Sequence, residues 1–508
     1  MATFKQEDPE IVPPQRSESA LSPLRWTQIL AISIFAFAFN FHWAALGTII
    51  LPSQVLKMVG DQDKGTALAF VLVPGAFVSL FANPLFGWLS DRTHGRLARW
   101  GRRRPYILVG TLVNVGALLW MASVRDIPSL TLAYALVQFS SNAAQAPFHA
   151  LLPDIVPANQ RGLTSGVIGL LTIGGNVGGV LLAGSFIDAS KPLAQYQQGL
   201  WIAYSAIVIV MVVLMLVTLF SVRERMHLSF SNRFPSEPLL ENRLEVRPRR
   251  TWLPRSVVTT LSATGAAILL AWGLMTLWNA SNIAAIQIDS NLQQVVLELL
   301  ATVGILRLFD FNPRRDPDFA WVLATRLVMM LGIYTIQTFL QYYMRDAVGV
   351  AHPEQATTNF LIIVALTSLV SAFTAGWLSD RFGRKRLVYA SGFMMALVGV
   401  VFVVTHSFVL VMAAGALFGL GYGAYQSVDW ALVADVLPSD EHFARDMGVW
   451  NVALSLPQVI APVLGGPLID AFTHAGNPVL GYQVLFSMSI VYCIIGTLTV
   501  RFIRGIRR

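Results

Sequence analysis

Asn142, Gln145 and His149 follow one another at spacings of three and four inside an apolar run at 129–152, and Gln138 precedes them. On a helix that spacing sets the three along one face. Amides and imidazoles donate and accept hydrogen bonds, so the row suits recognition of hydroxyl groups on a polar ligand. Asn40, His42 and Trp43 in the run at 26–50 are of the same kind, as are Gln337 and Gln341, which share a face beside Tyr342 and Tyr343. Each amide has two open roles: a ligand contact, or an interhelical hydrogen bond that packs the protein. Trp43 fits a stacking platform and a core position equally well. Asp429 is a different group. It lies in an apolar run before Asp435 and matches Phe148 in an internal repeat. A buried carboxylate can carry a proton, and pairing with Arg326 is its other open role. His42 and His149 also titrate near neutral pH.

Such residues need elements to hold them, and the composition identifies those elements. The 508 residues are 55% hydrophobic and 13% charged, whereas soluble domains carry about 25% charged residues. Runs at 26–50, 66–90, 105–124, 129–152, 162–187 and 199–222 are each long enough to cross a bilayer, for which about 20 apolar residues suffice. A second set follows at 319–343, 357–379, 387–405, 408–433, 447–470 and 480–503. Between the sets, 257–278 is uncharged, while 283–306 contains Asp289 and Glu298. The expected fold is an all-α polytopic membrane protein of two six-helix bundles with two extra helices between them, giving 12–14 spans. Its parts are a disordered tail at 1–24, a bundle at 25–222, a basic loop at 223–256, an inserted hairpin at 257–310 and a second bundle at 311–508. An interfacial pair is the alternative for the insert.

Charge placement orients the chain. Residues 92–104 hold six arginines and no acid, and 223–255 hold eight arginines against four glutamates. The positive-inside rule puts these loops, and both termini, in the cytoplasm. Clustering in loops also explains the net charge of +8 without nucleic acid. The single Cys493 excludes an intramolecular disulfide. The first apolar run is too long for a signal-peptide core and is expected to be retained. No phosphate-binding Gly-x-x-x-x-Gly-Lys-[Ser/Thr] loop or metal-ligand cluster is visible, so ATP-driven pumping, a metal or another cofactor is not expected.

The chain also repeats itself. Gly87-Trp88-Leu89-Ser90-Asp91-Arg92 recurs 289 positions later as Gly376-Trp377-Leu378-Ser379-Asp380-Arg381. Gly101-Arg102-Arg103-Arg104 follows the first copy and Gly383-Arg384-Lys385-Arg386 the second. Residues 150–157 and 431–438 match as well, which indicates a duplicated architecture. Gly87 and Gly376 are expected to let a neighbouring helix approach closely. Asp91 and Asp380 fall at helix C-termini, where the dipole disfavours an anion, so they call for cationic partners such as Arg92, Arg102, Arg381 and Arg384. These eight residues read as a cytoplasmic gate.

Gly-x-Leu-x-Asp-Arg followed by Gly-Arg-[Arg/Lys]-Arg, present twice, resembles the loop signature of the major facilitator superfamily. Pro84 through Arg92, Arg99 through Ile107, Asn142-x-x-Gln145-Ala146-Pro147, Gly175-Asn176-Val177-x-Gly179 and Asn40 through Ala44 are similar to the sucrose–proton symporters and the glycoside–pentoside–hexuronide transporters. The resemblance implies a monomeric, multi-pass protein of the cell membrane that carries a sugar or glycoside by alternating access, coupled to protons. The sequence departs from the group at one point. Plant sucrose transporters carry an Asp and an Arg eleven residues apart on the fourth helix, where this chain has Gln138 and His149. Both charges are gone together, which opens the proton route to question. Two rival functions are an exporter of drug-like or other small organic molecules and a transporter-like sensor or scaffold.

Overall fold

The computed structural model of the protein describes residues 23–91, 93, 100–157, 160–221, 255–281, 290–308, 311–436 and 443–504. Arg92, most of the two basic loops and the Asp380 side chain lie outside the described residues. The first span is longer than the expected 26–50. It joins α1 (Trp26–Ser33), α2 (Phe35–Ala45) and α3 (Leu51–Val59) into one rod, with Leu46–Ile50 wound as a π-helical turn. Then come α4 (Lys64–Asp91), α5 (Arg104–Ser123), α6 (Ile127–Ile155), α7 (Arg161–Phe186) and α8 (Leu193–Ser221). After α9 (Arg255–Ser281) and α10 (Ser290–Leu308), the second half runs through α11 (Pro317–Asp346), α12 (Pro353–Phe382), α13 (Arg384–Val404), α14 (Phe408–Val436), α15 (Phe443–His474) and α16 (Pro478–Thr499).

Among the described residues, twelve helical segments are long and apolar enough to cross a membrane. Ser262–Ser281 of α9, the first arm of the insert, is among them as expected, whereas α6, expected as a span, is not. The amides and serines of α6 lower its apolarity, and the helix is tolerated because it packs between α4 and α5. Lipid-facing positions are apolar elsewhere: Leu269, Leu270, Leu274 and Leu277 of α9 are all exposed. In the second arm of the insert the apolar stretch is the shorter Leu292–Gly304. α10 packs on α9, α4 and α15.

The two halves meet at the end of the molecule away from the arginines. There α4 of the first half starts against the last turns of α15 of the second. The backbones touch at Gly65 and Gly466, where a Cβ on Gly466 would lie 2.4 Å from the Gly65 carbonyl oxygen. Val73, Ala76, Val459 and Val463 close a small apolar cluster roughly one to three turns deeper. Close helix approach through small residues is the usual packing device where both solvent and core are apolar. Gly87 does not serve that purpose, contrary to expectation. A Cβ there would meet nothing within 4 Å among the described residues, and one on Gly376 would meet only Ser427 Oγ at 3.2 Å. The close approach in the second half is made instead by Gly423, whose Cβ would lie 2.3 Å from the Ser368 carbonyl oxygen.

These contacts set a contrast. Gly466→Ala overpacks the junction and is expected to cost about 1–3 kcal/mol. Gly87→Ala, in open space on a helix, gains up to about 1 kcal/mol of helix propensity. Denaturant unfolding of the purified variants in micelles reads both, and equal destabilisation of the two would refute the assignment of the junction.

Candidate functional site

The polar row on α6 is split by its partners. Gln138 is buried and donates from Nε2 to the Tyr134 hydroxyl at 2.8 Å. Asn142 donates to the Gln138 carbonyl at 2.8 Å and accepts from Asn83 of α4 at 3.1 Å. These two amides pack helices. Gln145 is half-buried and His149 exposed, and neither has a hydrogen-bond partner among the described residues. They continue the row toward the arginine-rich end with free polar groups. On α2, Asn40 donates to the Ala36 carbonyl at 2.8 Å and to Thr172 Oγ1 of α7 at 3.3 Å. His42 is fully buried with both ring nitrogens unpartnered. Its ring centroid is 4.6 Å from that of Trp43, which meets Tyr134 edge-on at 6.4 Å.

The second half presents a matching face. Asp429 pairs with Arg326 of α11 and accepts a hydrogen bond from the Tyr425 hydroxyl at 3.2 Å. The pair is buried, at 1% and 2% side-chain exposure, so each charge depends on the other for solvation it cannot draw from water. The guanidinium lies 3.5 Å from the centre of the Trp450 ring. Around it stand groups the sequence reading missed. Gln426 donates to the Tyr422 hydroxyl at 3.0 Å, and Gln458 of α15 donates to the Tyr334 hydroxyl at 3.0 Å. Gln426 Oε1 is buried and unpartnered. The signal for Gln426 was present. Tyr422, Gln426 and Asp429 follow i, i+4, i+7, and the repeat register that pairs Phe148 with Asp429 also pairs Gln145 with Gln426. Of the two α11 amides, Gln337 is half-buried and without a hydrogen-bond partner among the described residues. Gln341 is drawn away, donating to Glu354 Oε1 at 3.3 Å.

At the arginine-rich end the first copy of the repeated phrase closes on itself. Asp91 pairs with Arg103 at 2.6 Å, and Arg103 also donates to Ser90 Oγ at 2.6 Å. The partner of Asp91 is therefore Arg103, which ties α4 to α5 within one half; Arg102 is half-buried beside it. The turn needs glycine, since Gly101 and its counterpart Gly383 have φ of 119° and 88°. In the second copy Arg381 stacks on Trp377 at 4.1 Å, and Arg384 is half-buried.

The opposite end is sealed across the halves. Asp470 of α15 accepts from the backbone N–H groups of Gly65 and Thr66 at 2.9 and 2.6 Å, meeting the positive end of the α4 dipole. Lys64, 1% exposed, pairs with Asp346 of α11, and the Tyr482 hydroxyl donates to the same carboxylate at 2.5 Å. Arg345 holds Asp61 through two bonds of 2.5 and 3.2 Å. Burial pushes the Asp61 carboxyl up, but the hydrogen bond and charge of Arg345 outweigh it and hold it below the usual range. A group depressed in this way loses its contribution only as pH falls through the lowered value. The Asp61–Arg345 link therefore persists through mildly acid pH. On the other side of the seam, Ser53 of α3 donates to Glu354 at 2.9 Å and His352 meets Asp188 at 3.1 Å.

Comparison with known proteins gives a consistent picture. A family described as MFS/sugar transport protein matches residues 31–288, and the Major Facilitator Superfamily matches 322–508. Solute carrier family 45 member 4 of Mus musculus is 26% identical over 46% of this chain. The tetracycline resistance protein, class C, of Escherichia coli is 28% identical over 34%, and proton-associated sugar transporter A of Homo sapiens 29% over 33%. The alignments span only 31%, 42% and 23% of those proteins. Among solved structures, peptide transporter POT in complex with sulfate superposes with a TM-score of 0.67 at 14% identity, over 96% of this chain and 98% of that one. A bacterial homologue of the lysosomal transporter Spinster, inward-facing and unoccupied, gives 0.60 at 14%, over 94% and 97%. These show the shared fold.

Removing one member of the buried pair strands the other. Asp429→Ala is expected to cost about 3–5 kcal/mol, and the double change Arg326→Met with Asp429→Leu to recover most of it. Unfolding free energies of the single and double variants check this; a double variant as unstable as the single would remove the pair's mutual dependence.

Proposed function

The chain belongs to the major facilitator superfamily, and from that premise we propose that it moves a sugar or glycoside across the cell membrane by alternating access, coupled to protons. Gln145 and Gln426 carry the reading. They occupy equivalent positions in the two halves, on α6 and α14, and each has amide capacity not taken up by the protein. Substrate sites in duplicated transporters lie near midplane between the repeats. Gln337, His149, Tyr334 and Gln458 add further neutral hydrogen-bonding groups, and Trp43 an aromatic face. Asp429 and Arg326 cancel one another, so the surface offers amides, hydroxyls and rings without net charge. That chemistry fits a neutral ligand rich in hydroxyl groups.

The seam described above closes the end away from the arginines. With the arginine loops assigned to the cytoplasm, the closed end is outside and the free amides lie on the cytoplasmic side of it. Alternating access then consists of breaking this seam while the phrases at Asp91 and Asp380 come together. Likeness to proton-associated sugar transporter A supports both cargo and coupling. A second reading, export of a drug-like molecule, draws on the likeness to the tetracycline resistance protein.

Proteoliposomes separate the two. Saturable uptake of a labelled disaccharide, stimulated by an inward proton gradient, is expected. Dye efflux without sugar uptake would discard the sugar reading. Gln145→Ala and Gln426→Ala each remove about one hydrogen bond to the ligand and should raise KM by roughly 2- to 10-fold, with stability unchanged in Gln145→Ala. Unaltered KM in both variants would take the glutamine pair out of the site.

A further inference from the structure

Glu354 is the one acid of the seam whose charge the seam does not meet. It is 1% exposed at the first turn of α12. Three donors converge on a single oxygen: Oε1 accepts from Ser53 Oγ at 2.9 Å, the Ala189 backbone N–H at 3.1 Å and Gln341 Nε2 at 3.3 Å. Oε2 is buried with no partner among the described residues. An ionised carboxylate would leave half its charge on that bare oxygen, away from water, at a large desolvation cost. A carboxylic acid, with Oε1 as its carbonyl, strands only a hydroxyl, which costs much less.

The repeat strengthens the point. In the register of the duplicated phrase, Glu354 stands where the first half has Gly65. At Gly65 the seam joins a bare helix N-terminus to one carboxylate, Asp470. At Glu354 the equivalent junction carries two, because Asp188 faces the start of α12 as Asp470 faces α4. Asp188 is ionised: burial raises it, but hydrogen bonds from Ser190 and the charge of His352 outweigh burial and hold it below the usual carboxylate range. Other titratable or charged groups around Glu354 are His352 on its own approach, Lys191 beyond α7, Tyr196 of α8 and Lys57 of α3. None of these cations is within ion-pairing distance of it. Lys57 is committed to the Lys191 carbonyl at 3.0 Å. A cavity of about 230 Å³, bordered by Asp188, Lys191, His352 and Glu354, leads to the acid from that end of the molecule.

We propose that Glu354 is a proton-binding site of the transport cycle, and that its protonated form is what lets the two halves close at this end. This rests on the transport reading above. The proton arrives from water in the cavity and adds to Oε2, and no other bond changes. Closure traps it behind Ser53 and Gln341. Loss of the proton places a charge against Asp188 in a dry seam and opens it. The Asp61–Arg345 link, held through mildly acid pH, does not respond in the same range.

The test measures the seam without any substrate. Spin labels at Ala351→Cys and Leu193→Cys, in a Cys493→Ser background, report the distance across it in nanodiscs by pulsed electron resonance. The short-distance population is expected to fall as pH rises from about 5 to about 8. In Glu354→Gln, which keeps the carbonyl acceptor and cannot ionise, that response should be lost and the seam stay closed. Asp188→Asn should move the midpoint to lower pH, because it removes the neighbouring like charge. His352→Asn should retain the response. A wild-type distance that ignores pH, or a response that survives Glu354→Gln, or one abolished by His352→Asn alone, would overturn the proposal. Failure of sugar uptake with the pH response intact would instead count against the cargo and leave the proton site standing.

Discussion

Asp470 reaches from the second half to take the backbone N–H groups of Gly65 and Thr66, in the first turn of α4 in the first half. Those donors have no partner within their own helix. The bond therefore completes a helix as well as joining two halves. It requires the backbones to come within contact at Gly65 and Gly466, and that approach brings Lys64 against Asp346 and packs Val73 and Ala76 on Val459 and Val463. Each element of the closed end follows from this meeting. Its polar contacts at Lys64, Gly65, Asp346 and Asp470 lie several turns along their helices from Asn83, Arg326 and Gln458. Closure and ligand recognition are thus separate pieces of chemistry at different depths of one bundle, connected by rigid helices of about 28 residues or more such as α4 and α11.

A rigid connection explains why the site can be neutral. A bundle that closes through ion pairs at its end needs no strong charge at its centre to bring the halves together. Arg326 and Asp429 belong to one half and cancel there. What remains at the centre is an array of amides and hydroxyls, some spent on packing and some free. Gln138 and Asn142 belong to the first kind and Gln145 to the second, while Gln426 donates to Tyr422 and keeps a bare Oε1.

Much of this was legible in the residue string. Run lengths gave the helices, and the phrase at Gly87 and Gly376 gave the duplication. The spacing of Asn142, Gln145 and His149 set the three along one face of α6, because periodicity is a local property. It could not say which amides would be consumed by Asn83 or Tyr134, since those partners come from elsewhere in the chain or compete on the same face. Arg326 was named as an alternative partner for Asp429, and the structure pairs them. The seam was illegible for a physical reason. Lys64 reads as one charge in a short balanced loop, and its partner Asp346 lies 282 positions away. Gly87 reads as a contact point at a helix end, and a Cβ on it would meet nothing within 4 Å among the described residues. The uncharged run of α9 reads as a span in both sequence and structure, whereas the amides of α6 lower its apolarity.

The π-helical turn at Leu46–Ile50 divides the first span into two sections. One extra residue in a turn advances the face of the helix by roughly 100°. Before the turn, Asn40, His42 and Trp43 point to the centre of the first half; after it, Ser53 reaches Glu354 and Gln54 reaches Met121 and Tyr204. The inserted residue acts as a phase adjuster between them. Each section can drift in sequence without turning the other out of register. A lineage carrying this turn could change what it carries while inheriting its means of closing unaltered.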